Sequence, residues 1–250
     1  GAGVDLRHDH HEQILRLALQ VGLALDQHRR LHAADAQVVG AGHAALQRHV
    51  TTQAVEGEAL AEDVAEVERD AARQRLQAEN AEQQALQAWR IAERTGTSAY
   101  ATRKLMDAPE SCRFIPSSQG GGLVLPMLRY DLPREQSLKG VQVIRDDGTK
   151  RFTPGMAKTG TACRLGLAVV GEPVFICEGY ATGMSIRMAL ERRYPVFVAW
   201  DAYNLPVVVE SVYHMLPGCP LVICADDDWK TTNKGVANNV GRIQAQIALD

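Results

Sequence analysis

The first 88 of the 250 residues contain no Trp, Tyr or Phe, no lysine precedes Lys104, and seven of the eight histidines fall before residue 50. Aromatic side chains supply the largest buried areas in a core, so this stretch is poorly equipped to build an independent one. The five cysteines (Cys112, Cys163, Cys177, Cys219 and Cys224) include no CxxC pair; neither a zinc ribbon nor a disulfide framework is supported, and buried free thiols are expected. No apolar run approaches the roughly 18 residues of a membrane span, and the opening GAGVDLRHDHHEQ lacks the apolar centre of a signal peptide. A cytoplasmic chain with no membrane partner is the expectation. The pattern GxxxxGK[ST] is absent, so Gly120-Gly121-Gly122 reads as a turn and not as a phosphate loop.

What is present is a hydrophobic content of 46%, enough for a proper core, and an uneven charge distribution beneath a net charge of -3. Lys and Arg stand against Asp and Glu as 10 to 15 over residues 1–96, 11 to 6 over 97–165 and 6 to 9 over 166–250. A basic centre beside an acidic segment suits a metal-dependent enzyme acting on a polyanion.

Three segments follow. Residues 1–96 are expected to be helical or partly disordered, with residues 1–55 not necessarily a folded unit. Leu60, Val64, Val67, Ala71 and Leu76 recur on one side of a stretch rich in helix formers, which predicts a long helix ending near Gly96. The cluster His8, His10 and His11 is read as a polar terminus without a metal role. Residues 97–165 carry turn signals at SSQGGG, RDDGTK and TPG between short apolar runs, LVLPML and VQVI among them, and read as a small β-rich basic subdomain. Arg129, Lys139, Arg145, Lys150, Arg151, Lys158 and Arg164 flank those turns, which predicts that loops carry them outward. Residues 166–250 alternate apolar strands (LAVV, PVFIC, PVFVAW, PLVICA) with helical segments at Gly183–Arg193, Leu205–Met215 and Val236–Leu249. Such alternation implies an α/β domain with a parallel sheet flanked by helices.

Right-handed crossovers bring parallel strands out at one edge, where the residues just past each strand gather. Here those residues are Glu178, Asp201 and Asp226-Asp227-Asp228. Several carboxylates at one edge repel unless a cation neutralises them. Oxygen-only donors favour Mg²⁺ or Mn²⁺, and phosphoryl transfer becomes the leading reaction class. In an extended Asp226-x-Asp228 the two outer side chains point the same way, which leaves Asp227 as an accessory candidate. Asp201 is another, with N-capping of the helix near Leu205 as its bland alternative.

EGYATG after an apolar strand, VFVAWDAYNL and VICADDDWKTTNKG together resemble the Toprim domain of plasmid, phage and mobile-element primases, over Pro173 to about Asn239. YATRK, GGLVLPMLRYD and GTKRFTPG are similar, less specifically, to the β-rich segment that precedes it there. The resemblance implies a Toprim-like sheet preceded by the β-rich subdomain, to which the periodicity read above adds a long N-terminal helix. It implies DNA primase activity: a nucleotidyltransferase making RNA primers from ribonucleoside triphosphates on a single-stranded DNA template, with a replicative helicase as a further partner. It places the catalytic and metal-binding carboxylates on Glu178, Asp226 and Asp228. Arg145, Lys150, Arg151, Lys158, Lys230 and Lys234 are the expected nucleic-acid or nucleotide contacts. The sequence lacks a zinc-finger pattern and a helicase P-loop, and it ends one helix after the DxD, so a truncated catalytic segment is expected. Two alternatives stand beside this: a Toprim-type metal-dependent nuclease, and a non-catalytic nucleic-acid-binding fragment.

Overall fold

A computed structural model describes residues 42–227, 232–233, 236–237 and 239–249, with side chains from residue 64 onward except in 228–238. The expectations for residues 1–41, including His8, His10 and His11, lie outside the described residues. The chain divides into two compact units, Gly1–Arg73 and Gln74–Asp250. The described part of the first is helical throughout, within α1 (Gly42–Ile91).

Of the apolar positions singled out in the sequence, Val64 and Ala71 are half-buried and Val67 and Leu76 largely exposed, while the Leu60 side chain lies outside the described residues; the buried residues are Ala81, Ala85 and Ala92, with Ala88 and Trp89 half-buried beside them. Their spacing of four, three and four traces one helical face, and alanines let a helix axis approach a sheet closely. The helix stops at Ile91, earlier than Gly96. Glu93 then exchanges two backbone hydrogen bonds with Phe114 (2.9 and 2.8 Å), which takes the chain out of helical geometry.

After a short helix, α2 (Ala99–Arg103), the chain forms an antiparallel meander: β1 (Arg113–Ile115), β2 (Gly122–Leu128), β3 (Leu138–Arg145) and β4 (Lys150–Phe152), in that spatial order. Alternation along β2 divides two cores. Val124 joins Ala85, Ala92 and Val141 under α1, while Leu123, Leu125 and Met127 face the other way into a larger cluster that includes Leu165, Val196 and Val198.

Those last residues belong to the second sheet, built from β5 (Cys163–Leu165), β6 (Val174–Cys177), β7 (Val196–Val198) and β8 (Leu221–Cys224) in the order β5-β7-β6-β8. The strands β7, β6 and β8 are parallel, as expected, and β5 adds an antiparallel edge. The run LAVV is not a strand. Leu167, Val169 and Val170 are exposed in the connection from β5 to β6, and β5 is instead formed by CRL upstream.

Helices α3 (Tyr180–Ala189), α4 (Leu205–Met215) and α5 (Val240–Leu249) complete the unit, with a two-stranded ribbon of β9 (Thr232–Asn233) and β10 (Val236–Ala237) between β8 and α5. Tyr180 and Met184 of α3 cover one sheet face together with the meander; Val208, Val209 and Val212 of α4, with Ala245 and Ala248 of α5, cover the other. Gly183 makes the α3 contact possible, because a Cβ there would lie 2.9 Å from a Val198 methyl group. Among the described residues no helix is long and apolar enough to cross a membrane.

Candidate functional site at the carboxyl edge of the parallel strands

Parallel register decides which side chains meet at the sheet edge. Cys177 of β6 lies opposite Cys224 of β8, so the next residues, Glu178 and Ala225, leave the sheet together and Asp226 follows at once. Neighbouring strands are about 4.8 Å apart, a separation that lets carboxylates from both share one ligand. Glu178 is buried, and its Oε1 accepts a hydrogen bond from the Asp226 backbone N–H at 3.2 Å. The structure therefore brings the Glu178 carboxylate to the Asp226 backbone across the β6–β8 pair. Burial pushes the Cys177 thiol well above its ordinary range, and the negative charges of Asp226 and Glu178 push it further.

The first turn of α5 closes this corner. Asn239 accepts a hydrogen bond from the Arg242 N–H (3.1 Å), capping the helix, while its own amide donates to Asp227 Oδ1 (2.6 Å). Asp227 is thus tied to a helix cap. Gly241 lies directly against the Glu178 carboxylate and the Asp226 backbone: a Cβ at this position would sit 2.3 Å from the Asp226 carbonyl oxygen and 2.8 Å from Glu178 Oε1.

Asp201 takes a different part. It follows β7, but its Oδ1 accepts from the Asn204 N–H at 3.0 Å, capping the short 3₁₀ turn that leads into α4, and its Oδ2 is paired with Lys158. Asp228, Lys230 and Lys234 lie outside the described residues. Among the described residues no three His, Cys, Asp or Glu side chains form a metal-binding group. Glu178, Asp226 and Asp227 carry hard oxygen donors, a chemistry that suits Mg²⁺ or Mn²⁺.

The basic residues are placed by strands more than by loops, contrary to the sequence expectation, because the alternating runs extend through them. Lys139, Arg145, Lys150, Arg151 and Arg164 lie within β3, β4 and β5. Lys139 is paired with Glu82 of α1 at 2.7 Å, and Arg129 with Asp131. Arg164 lies over the Tyr130 ring, 5.9 Å from its centroid. Arg145 and Arg151 help line an open cleft of about 520 Å³ between α1 and the meander, with Gln84, Ala88, Val143 and Thr149.

No family model matches the chain. Over 112 residues it is 37% identical to an Escherichia coli protein named DNA primase TraC, an alignment that takes in 43% of this chain and 10% of the relative. A second Escherichia coli protein of the same name is 33% identical over 111 residues, 43% of this chain and 8% of that protein. The chain thus matches about a tenth of the length of these relatives. Among solved structures, the primase fragment of the bacteriophage T7 primase-helicase protein is similar at a TM-score of 0.38 and 13% identity, over 60% of this chain and 54% of that one.

Proposed function

We propose that this chain is the catalytic segment of a Toprim-type DNA primase, a nucleotidyltransferase that makes RNA primers on single-stranded DNA during plasmid, phage or mobile-element replication or transfer. The observation that carries the reading is the meeting of Glu178 and Asp226 at the carboxyl edge of adjacent parallel strands. The similarity to two proteins named DNA primase supports it.

In this reading Glu178, Asp226 and Asp228 hold Mg²⁺ or Mn²⁺. Such an ion, when bound, stabilises charge on transferring phosphate oxygens and on departing pyrophosphate. The chain's own residues supply the rest. Glu178 is fixed by its bond from the Asp226 N–H, and Asn239 anchors the segment that carries Asp226 through its bond to Asp227. Arg145 and Arg151, in the cleft between α1 and the meander, neutralise phosphates of the template strand, which gives salt-dependent and largely sequence-tolerant binding. Ribonucleoside triphosphates are the second substrate, and a replicative helicase is a further partner.

The test is primer synthesis from ribonucleoside triphosphates on single-stranded DNA with Mg²⁺ or Mn²⁺. Glu178→Gln and Asp226→Asn are each expected to lower the rate at least about 100-fold, the scale on which removal of one preorganised charge-stabilising group acts. Undiminished product from both variants sinks the assignment. Cleavage of labelled single strands without added nucleotides would replace it with the nuclease reading; strand binding indifferent to metal, with no turnover, would replace it with a non-catalytic one.

A further inference from the structure

Strand β4 presents its two faces to different places. Arg151 lies opposite Val143, whereas Lys150 lies opposite Ile144 and Phe152 opposite Gln142. Val143 packs with the cluster beneath α1, and Ile144 packs with Leu165, Val198 and Trp200 of the second sheet. Alternation therefore turns Arg151 to the α1 cleft and Lys150 and Phe152 to the opposite face; Phe152, at the strand's end, also borders that cleft.

Phe152 is an aromatic residue on an exposed edge strand, and 37% of it remains accessible. Its ring meets Trp200 edge-to-face, with centroids 6.3 Å apart and planes at 86°. The Lys158 ammonium lies 5.6 Å from the Phe152 centroid and is paired with Asp201. Trp200 directly follows the β7 connection to the carboxyl edge: the Ala199 N–H donates to the Cys177 carbonyl at 2.8 Å, one residue before Glu178. Two features of Trp200 have no account in packing alone. It holds a φ of 77°, a left-handed conformation that is an outlier for a bulky residue, and its buried indole N–H has no hydrogen-bond acceptor. An accessible aromatic ring, a buried donor without an acceptor and an ion-paired cation thus stand side by side, on the chain that leaves β7 at the same edge as Glu178 leaves β6.

We propose that Phe152, backed by Trp200 and flanked by Lys158, is a stacking platform for a nucleobase, with Lys158 leaving Asp201 to meet the phosphate attached to that base. The proposal rests on the polymerase reading above and adds a base-recognition element to it. The ring face tolerates every base, because each has a π-face. The base belongs either to an incoming ribonucleoside triphosphate or to a template strand, and the experiment separates the two.

Binding of a fluorescent ribonucleoside triphosphate and of a labelled oligothymidylate is measured by anisotropy on the whole chain and on Phe152→Leu and Phe152→Trp, with tripolyphosphate and an abasic oligonucleotide as baseless probes. Leucine fills similar space without a π-face, and tryptophan keeps one. Phe152→Leu is expected to weaken one base-bearing ligand by about 5- to 150-fold, the range that aromatic-to-alanine changes give in base stacking. Phe152→Trp should retain that affinity, and the baseless probes should bind both variants like the parent. Loss confined to the triphosphate identifies an incoming nucleotide, and loss confined to the oligonucleotide identifies the template. Equal affinities for Phe152→Leu and the parent overturn the platform while leaving the polymerase reading intact. If the parent binds neither base-bearing ligand, that reading falls and the platform with it.

Discussion

Arg187 shows how much one side chain in this structure must hold. It is buried, and its guanidinium donates to both Glu110 carboxylate oxygens (3.0 to 3.2 Å) and to the Tyr194 carbonyl at 2.7 Å. Arg192 reaches the same carboxylate from the turn after α3. These bonds fasten the segment that precedes β1 to the far end of α3. Removing Arg187 leaves Glu110 to Arg192 alone and strips the Tyr194 carbonyl of its donor, a loss on the scale of about 1–3 kcal/mol for groups left unsatisfied. Arg187→Ala is therefore expected to lower unfolding free energy by about that amount in urea titrations. Arg187→Lys should recover only part of it, because an ammonium cannot reproduce the forked donor geometry. A loss below about 1 kcal/mol for Arg187→Ala would show that the pair is solvated and of little consequence.

At the scale of elements, the first turn of α5 sets the carboxylate corner. The Cβ introduced by Gly241→Ala would overlap the Asp226 carbonyl and Glu178 Oε1, and the helix, the Asp226 backbone or the Glu178 carboxylate must move. A displacement near 1 Å costs on the order of 100-fold in a positioned reaction. On the proposed primase reading, Gly241→Ala is expected to reduce primer synthesis on that scale and to weaken Mn²⁺ binding measured by electron paramagnetic resonance. Asn239→Asp, which keeps a capping oxygen but replaces the donor to Asp227 with a like charge, should weaken Mn²⁺ binding while leaving helix content by circular dichroism unchanged. Unaltered Mn²⁺ affinity in both variants would remove α5 from the site. The elements themselves were unevenly legible. VFIC, VFV and LVIC are short apolar runs bounded by turn residues, and each is a strand; α4 spans the predicted Leu205–Met215. LAVV has the same composition but no sheet position, because β5 already occupies the place beside β7. The buried face of α1 escaped because alanines carry little hydrophobic signal, whereas Val67 and Leu76 carry much and remain exposed. Glu178 and Asp226 were readable because a strand end fixes a residue's place; the contacts of Asn239 and Gly241 depend on how a later helix docks, which no local pattern encodes.

For the whole molecule, ionisation of buried groups bounds stability at high pH. Burial pushes the Cys112 thiol from 9.0 up to about 11, and it also raises Cys163, Cys177, Tyr130 and Tyr180. The unfolded chain loses these protons first, so it is favoured as pH rises. For Cys112 the stability present below pH 9 declines between pH 9 and about 11. Thermal midpoints are expected to hold steady up to about pH 8.5 and to fall above pH 9, with a shallower fall in Cys112→Ser. A flat profile to pH 11 would mean that these groups are not shielded from water.

The meander and the parallel sheet are joined through a shared apolar cluster in which Leu123, Leu125 and Ile144 meet Leu165, Val196 and Val198. Chemically, this makes the molecule a ruler: the span from the cation-bearing strands to the acidic edge is set by interlocked side chains, whereas a flexible tether would let it vary. A polymer threaded along one wall would therefore arrive at the other at a constant offset, and changing that offset would require rebuilding the interior.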